Sequence, residues 1–270
     1  MRINIRVLAL ISPALSARLV NYLWFKTRRF TEPRREQRLL ELATWQTQKV
    51  EKNTIQIYIW GERNKPTVLL VHGWNGRGAQ LGAFAHDLVS KGYRVITFDA
   101  PGHGRSSSNE TNLLEISNVI QQLEHRFGPF HAGISHSFGG LCLMHAVHTG
   151  IKIDKVVCIA SAYNVERLVQ IFARIFHVPE TVVEQQKRLL EHKFGNDLWQ
   201  QFSVPDIVKK TDAKGLIIHD EKDEDIPVER SKMIAKDWVN SELVLTSGLG
   251  HRRILRNKTV INKVTAFICE

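Results

Sequence analysis

Isoleucines at 55, 57 and 59 alternate with Gln56, Tyr58 and Trp60. That period of two predicts a half-buried strand, and a strand with one wetter face is typical of antiparallel pairing. From position 67 the pattern changes to unbroken apolar runs at 67–71, 94–98, 131–134, 156–160, 216–218 and 243–245. Such runs predict strands covered on both faces, which implies a parallel sheet. Segments 80–91, 113–127, 138–149, 229–237 and 260–268 between and after them carry helical spacing. The alternation of the two patterns predicts an α/β fold.

Two regions depart from this rhythm. Near the N-terminus, Ser12-Pro13 reads as a helix N-cap and first helical residue, with Leu15, Leu19, Tyr22 and Leu23 on one face and Arg18, Lys26 and Arg29 elsewhere. This basic amphipathic helix suits docking on an anionic membrane surface or a partner, and equally suits packing on its own domain. A helical linker, 36–49, joins it to the first strand. The second departure is the interval of about 50 residues between Tyr163 and the strand at 216, longer than a strand-helix-strand step needs. Val165, Leu168, Val169, Phe172, Ile175 and Phe176 keep helical spacing, Pro179 interrupts, and Val182, Val183, Leu189 and Leu190 resume it. The expected division is an arm at 1–50, a core at 51–163 and 214–270, and a helical cap at 164–213.

At 270 residues and 43% hydrophobic content the chain is long and apolar enough for a sizeable core. Its net charge of +10 is concentrated at one end, since residues 1–40 alone carry +7. The rest is near balance and holds no zinc-finger or RNP-type pattern, so no nucleic-acid partner is expected. Cys142, Cys158 and Cys269 are odd in number and lack C-x-x-C spacing, which argues against a disulfide framework or a structural zinc site and for a reducing, cytoplasmic setting. The uncharged run 7–17 is too short to span a bilayer, which takes about 20 residues. With Arg2 and Arg6 before it and Ala14-Leu15-Ser16 within it, the run also reads as a signal-peptide core; the amphipathic pattern continuing past that point argues instead for a cytoplasmic protein peripheral to the inner face of a membrane.

The candidate chemistry begins with Gly-Ile-Ser-His-Ser-Phe-Gly-Gly, 133–140, where Ser137 falls between a strand and a helix. Ser135 and Gly139, two residues to either side, are small enough for the sharp turn that would lift the Ser137 hydroxyl above the sheet. A serine here also reads as a plain N-cap. A hydroxyl becomes a useful nucleophile only when a base takes its proton and an acid orients that base. His251, in the Gly-Leu-Gly-His loop after the last strand, and Asp223, in the loop after the strand ending at Ile218, supply both in the order serine, acid, histidine. Asp220 and Asp225 remain open as the acid. His136 and His72 compete as the base, although their places inside tight turns better suit structural hydrogen bonds, as does that of His103 in the 98–106 loop. Arg252 and Arg253 read as a solvated or structural pair. Val-His-Gly-Trp, 71–74, ends another strand, and its Gly73 permits close approach; the N–H groups of Trp74 and Phe138 are the candidate oxyanion donors.

These motifs together resemble the α/β-hydrolase superfamily, more narrowly bacterial serine hydrolases and esterases with a short helical cap. The resemblance rests on 72–74, 99–106, 135–139, 223–227 and 250–251, and covers about 54–270. It implies a mostly parallel sheet of about eight strands with helices on both faces, and hydrolysis of esters or related acyl compounds through an acyl-enzyme, with no cofactor or metal. Dehalogenases and epoxide hydrolases of this fold carry Asp at the elbow, so Ser137 argues against both. Thioesterase, lipase and peptidase activities stay open, as does a noncatalytic scaffold. Phe172, Phe176 and Val182 favour a small apolar acyl substrate.

Overall fold

The computed structural model describes residues 5–270; Arg2, read above as part of a signal-peptide n-region, lies outside them. The chain forms two compact units, one made of the N-terminal segment to Lys26 with Asn164–Ser203, the other of Thr27–Tyr163 with Val204–Glu270.

The larger unit is built on an eight-stranded sheet: β1 Thr44–Val50, β2 Asn53–Trp60, β3 Thr67–Val71, β4 Arg94–Phe98, β5 Phe130–His136, β6 Ile153–Ile159, β7 Lys214–Asp220 and β8 Ser241–Thr246. Their spatial order is β1-β2-β4-β3-β5-β6-β7-β8. β2 is antiparallel to both its neighbours and all other pairs beyond it are parallel. β3 and β4 are buried along their whole length, as apolar runs must be when both sheet faces are covered. One of those covers packs Leu81, Phe84 and Leu88 with Val260, Val264 and Ile268 against Val68, Leu70, Val95 and Ile134, side chains whose burial is each favourable by about 1.5–3 kcal/mol.

β1 corrects the sequence reading. Residues 36–49 were expected to be one helical linker, but the helix is only Arg34–Glu41 and the chain then turns into an edge strand paired with β2 from Thr44↔Ile59 to Val50↔Asn53. An edge strand has one neighbour and little to bury, so Thr44–Val50 is mostly polar and shows no alternation of apolar residues. The two-residue turn Glu51-Lys52, with Glu51 at φ 49°, carries none of the Asn or Gly that usually announces a hairpin.

In the smaller unit the helices are Ile5–Ile11, Pro13–Phe25, Val165–Phe176, Glu180–Phe194 and Leu198–Gln201. Ser12 caps the second, its side chain accepting from Leu15 N–H, with Pro13 at the first helical position as expected. That helix buries Ser16, Ala17 and Val20; of the expected face Leu19 packs on the same core and Leu23 is half-buried, while Leu15 and Tyr22 stay exposed, and Ala17 and Val20 form a small core with Ile5 and Val182. Small residues on that face bring the helix close to its partner. Trp24 packs edge-on against Phe172 at 5.4 Å, and Phe172 lies 4.4 Å from Phe176. The apolar side chains that the sequence suggested would meet an acyl chain are thus partly committed elsewhere, with Val182 wholly buried in this core. The insertion and the N-terminal segment, expected as separate pieces, form one unit.

Candidate active site

β3, β5, β7 and β8 run in one direction, so their carboxyl ends emerge along a single edge of the sheet. Every loop singled out in the sequence leaves from that edge.

After β5 the chain turns directly into helix Phe138–His148, with Ser137 between them at φ 54° and ψ −124°. Its side chain caps nothing. Its N–H donates to Ile159 O at 3.0 Å and its carbonyl accepts from Gly140 and Ala162, which hold the residue in a conformation that a side chain disfavours. The helix-cap reading of Ser137 therefore falls. Ser135 is fully buried beneath the turn, its hydroxyl donating to Val157 O at 2.9 Å. Gly139 is obligatory because a Cβ there would run into the backbone carbonyls of Val71 and His72. A Cβ on Gly73 would lie 2.9 Å from Ser137 Cβ, so the loop after β3 presses directly on the serine. The Ser137→Gly variant is expected to be more stable by about 1 kcal/mol, since glycine relieves the positive φ at some entropic cost, whereas Ser137→Ala is not; urea titration of both checks it.

The loop after β3 is held by two neutral imidazoles. His72 donates from Nδ1 to Gly73 O at 2.7 Å and accepts at Nε2 from Ala100 N–H at 3.0 Å; His103 donates to Pro101 O and accepts from Asn75 N–H at 3.0 Å. Each needs one bare nitrogen, and burial pushes the pKa of His72 down to about 4 and that of His103 to about 3. They clip the 72–76 turn to the 99–105 turn, whose own Asp99 carboxylate accepts from Gly78 N–H, Arg105 N–H and Tyr58 Oη. A buried ion pair between Arg77 and Glu36 anchors the far side of the same loop. Trp74 is set edge-on to Phe138 at 5.3 Å and to His103 at 5.5 Å. The N–H groups of Trp74 and Phe138 have no hydrogen-bond partner among the described residues; for Phe138 this follows from its place at the start of a helix.

Of the three candidate acids, Asp223 meets His251: Oδ2 lies 2.7 Å from Nδ1, with the carboxylate fully buried. Its other oxygen accepts from Asp225 and Ile226 N–H. Burial alone would raise the Asp223 carboxyl, but hydrogen bonds from His219 and His251 outweigh it and hold it well below the usual carboxylate range. Asp220 instead ties down the loop that carries the histidine, accepting from Thr246 Oγ1, Gly248 N–H and Leu249 N–H. Asp225 contributes only its backbone. Arg253 adds bonds to Gly248 O and Leu249 O, which makes it structural.

His136, beside the serine in sequence, donates from Nε2 to His251 O at 2.8 Å, with the two rings 4.6 Å apart. Burial, then the neighbouring His251, pulls the His136 pKa down to about 3. This contact brings the histidine loop against the elbow, although Ser137 Oγ itself makes no hydrogen bond to His251 among the described residues; such nucleophile–base bonds often tighten only around substrate. Sequence reasoning missed three supports: the His136 bond, the Asp220 clamp, and fully buried His219, which lies 3.3 Å from Asp223 Oδ2 and accepts from Ser231 Oγ. A polar residue closing an apolar strand, as His219-Asp220 does, was the available signal for the last two. No group of side chains among the described residues could hold a metal ion.

A strained turn after the fifth strand, with later loops gathered at the same sheet edge, is the layout of an α/β hydrolase. The chain belongs to the alpha/beta hydrolase family, whose model matches residues 68–262. It is 24% identical over 275 residues to a proline iminopeptidase of Pestalotiopsis fici, covering 81% of this chain and 98% of that one. Over 98 residues it is 33% identical to the pimeloyl-[acyl-carrier protein] methyl ester esterase of Vibrio atlanticus, covering 36% of this chain and 37% of that one. Among solved structures, one described as a putative lipase from Acinetobacter baumannii superposes with a TM-score of 0.65 at 20% identity over 87% of this chain and 93% of that one, a likeness of fold. These relatives support a hydrolase.

Proposed function

We propose that the protein is a serine hydrolase that cleaves carboxylic esters or closely related acyl compounds, with Ser137 as nucleophile, His251 as base and Asp223 as the acid that orients it. The observation that carries this reading is the 2.7 Å contact between Asp223 and His251 Nδ1. It makes Nδ1 the protonated nitrogen and leaves Nε2 bare to take a proton. In the first half-reaction His251 removes the Ser137 proton as Oγ attacks the acyl carbonyl. The Trp74 and Phe138 N–H groups hold the negative oxygen, donors whose individual loss typically costs about 10²- to 10³-fold in rate. His251 then gives its proton to the departing alcohol, and water activated by the same base releases the acyl group.

The ester preference draws support from the Vibrio atlanticus relative, named as a methyl ester esterase; the iminopeptidase keeps amide substrates as the second reading. A fluorophosphonate probe is expected to label the protein at Ser137, located by peptide mass spectrometry. A p-nitrophenyl ester series of increasing acyl length, run beside a prolyl anilide, then decides between the two substrates. No labelling of Ser137 would favour the noncatalytic scaffold.

A further inference from the structure

The N-terminal helices carry two apolar faces, and the smaller unit uses one. Ile5 and Ala9 face the unit's core, whereas Val7, Leu10 and Ile11, at helical spacings of three and four, form an outward stripe. Leu10 is 87% and Ile11 78% exposed, and what sets them apart from singly exposed residues elsewhere is that they adjoin exposed Val7 in one patch. On the next helix part of the predicted apolar face is left outside: Leu19 packs on the core, but Leu15 and Tyr22 are exposed, with exposed Arg18 between them at one turn from each. Arg6 Nε donates to His177 O at 3.2 Å, which places the end of helix Val165–Phe176 beside the first helix and adds Ile175, 64% exposed, and Phe176 to the same region. Arg174 flanks them, also exposed.

The charge pattern selects the occupant. No acidic residue occurs before Glu32, so the whole outward face of both helices is apolar or basic; the acid nearest in sequence to Phe176 is Glu180, which opens the following helix. Meeting a second copy through the same patch would set arginine against arginine, an arrangement a two-fold interface penalises. An anionic bilayer satisfies both features, taking leucine and isoleucine into the acyl boundary and leaving arginine and tyrosine at headgroup level. We infer that the stripe Val7, Leu10, Ile11, Leu15 and Tyr22, together with Ile175 and Phe176, docks the protein peripherally on an anionic lipid surface. No helix of the described residues is long and apolar enough to cross a membrane, so the attachment lies in the plane of the interface.

The test is co-sedimentation of the full chain with phosphatidylcholine vesicles with or without about one third phosphatidylglycerol. The expected result is binding to the anionic vesicles only, weakened by raised salt, reduced at least about tenfold in Leu10→Asp/Ile11→Asp and about fivefold in Arg18→Gln. Unchanged melting of both variants shows that folding is intact. Ser137→Ala, which removes the proposed nucleophile, should bind like the parent, so failure of the hydrolase reading would leave this result untouched. Equal pelleting of the parent and the double variant, equal binding to neutral vesicles, or a concentration-dependent dimer abolished by the same substitutions without vesicle binding would overturn the inference.

Discussion

Ser137→Ala and His251→Ala are each expected to lower kcat/KM on an activated ester by about 10⁴- to 10⁶-fold, and the double variant to lose little more than either alone. The size follows from shared labour: without the imidazole the hydroxyl keeps its proton, and without the hydroxyl the imidazole has nothing to activate. At about 1.4 kcal/mol per decade, the loss corresponds to about 5–8 kcal/mol of transition-state stabilisation. In the proposed mechanism, what would remain is the contribution of the Trp74 and Phe138 amides and of substrate positioning. Both side chains sit on backbones held by other residues, Ser137 by Ile159 and Ala162 and the His251 loop by Asp220 and Arg253, so each variant should retain the parent fold. Steady-state kinetics beside thermal melting decides the matter. More than about a tenth of the parent activity in either folded variant would remove that residue from the chemistry.

Acid is expected to destabilise the protein steeply well above the pH at which carboxylates titrate. His72, His103 and His136 are all buried, with pKa values lowered from 6.5 to about 4, 3 and 3. Their neutral forms carry stability that is fully present above about pH 6.5 and is lost as the pH falls, because the unfolded chain takes up the protons first. His145, likewise buried and pushed down to about 4, makes a fourth, and together they make the slope approach about 5 kcal/mol per pH unit near pH 5. Asp220 and Asp223, held below the ordinary range, add a further loss in the same direction below about pH 4. Urea unfolding at pH 7, 6 and 5 measures the slope, and His103→Gln should reduce it by about one quarter. A stability that stays level between pH 7 and 5 would show that these rings are not held neutral.

Much of the framework was legible along the chain because both-sided burial writes itself locally: a strand covered above and below needs apolar residues without interruption. The 67–71, 94–98 and 216–218 runs are such strands, and the order of serine, acid and histidine at strand ends could be read with them. The edge strand Thr44–Val50 could not, since a strand with one neighbour is under little apolar constraint and its identity depends on pairing with Asn53–Trp60. The N-terminal helix showed the opposite failure. Of the predicted apolar face on helix Pro13–Phe25, Leu15 and Tyr22 point outward while Leu19 joins Ser16, Ala17 and Val20 on the packed side, so the buried stripe is rotated toward the small residues that let two helices approach closely.

The sequence by itself determined which interior strands and long helices form, that they alternate into a parallel α/β sheet, and which residue types stand at the strand ends, since each of these depends on neighbours within a few positions. Only the tertiary structure decided that Asp223 rather than Asp220 or Asp225 meets His251, that His72 and His103 are clips, and that His136 braces the histidine loop. Those outcomes turn on separations of an ångström or two between segments 28 to 115 residues apart. A shift of one residue in a loop reassigns such a contact while leaving every local pattern unchanged.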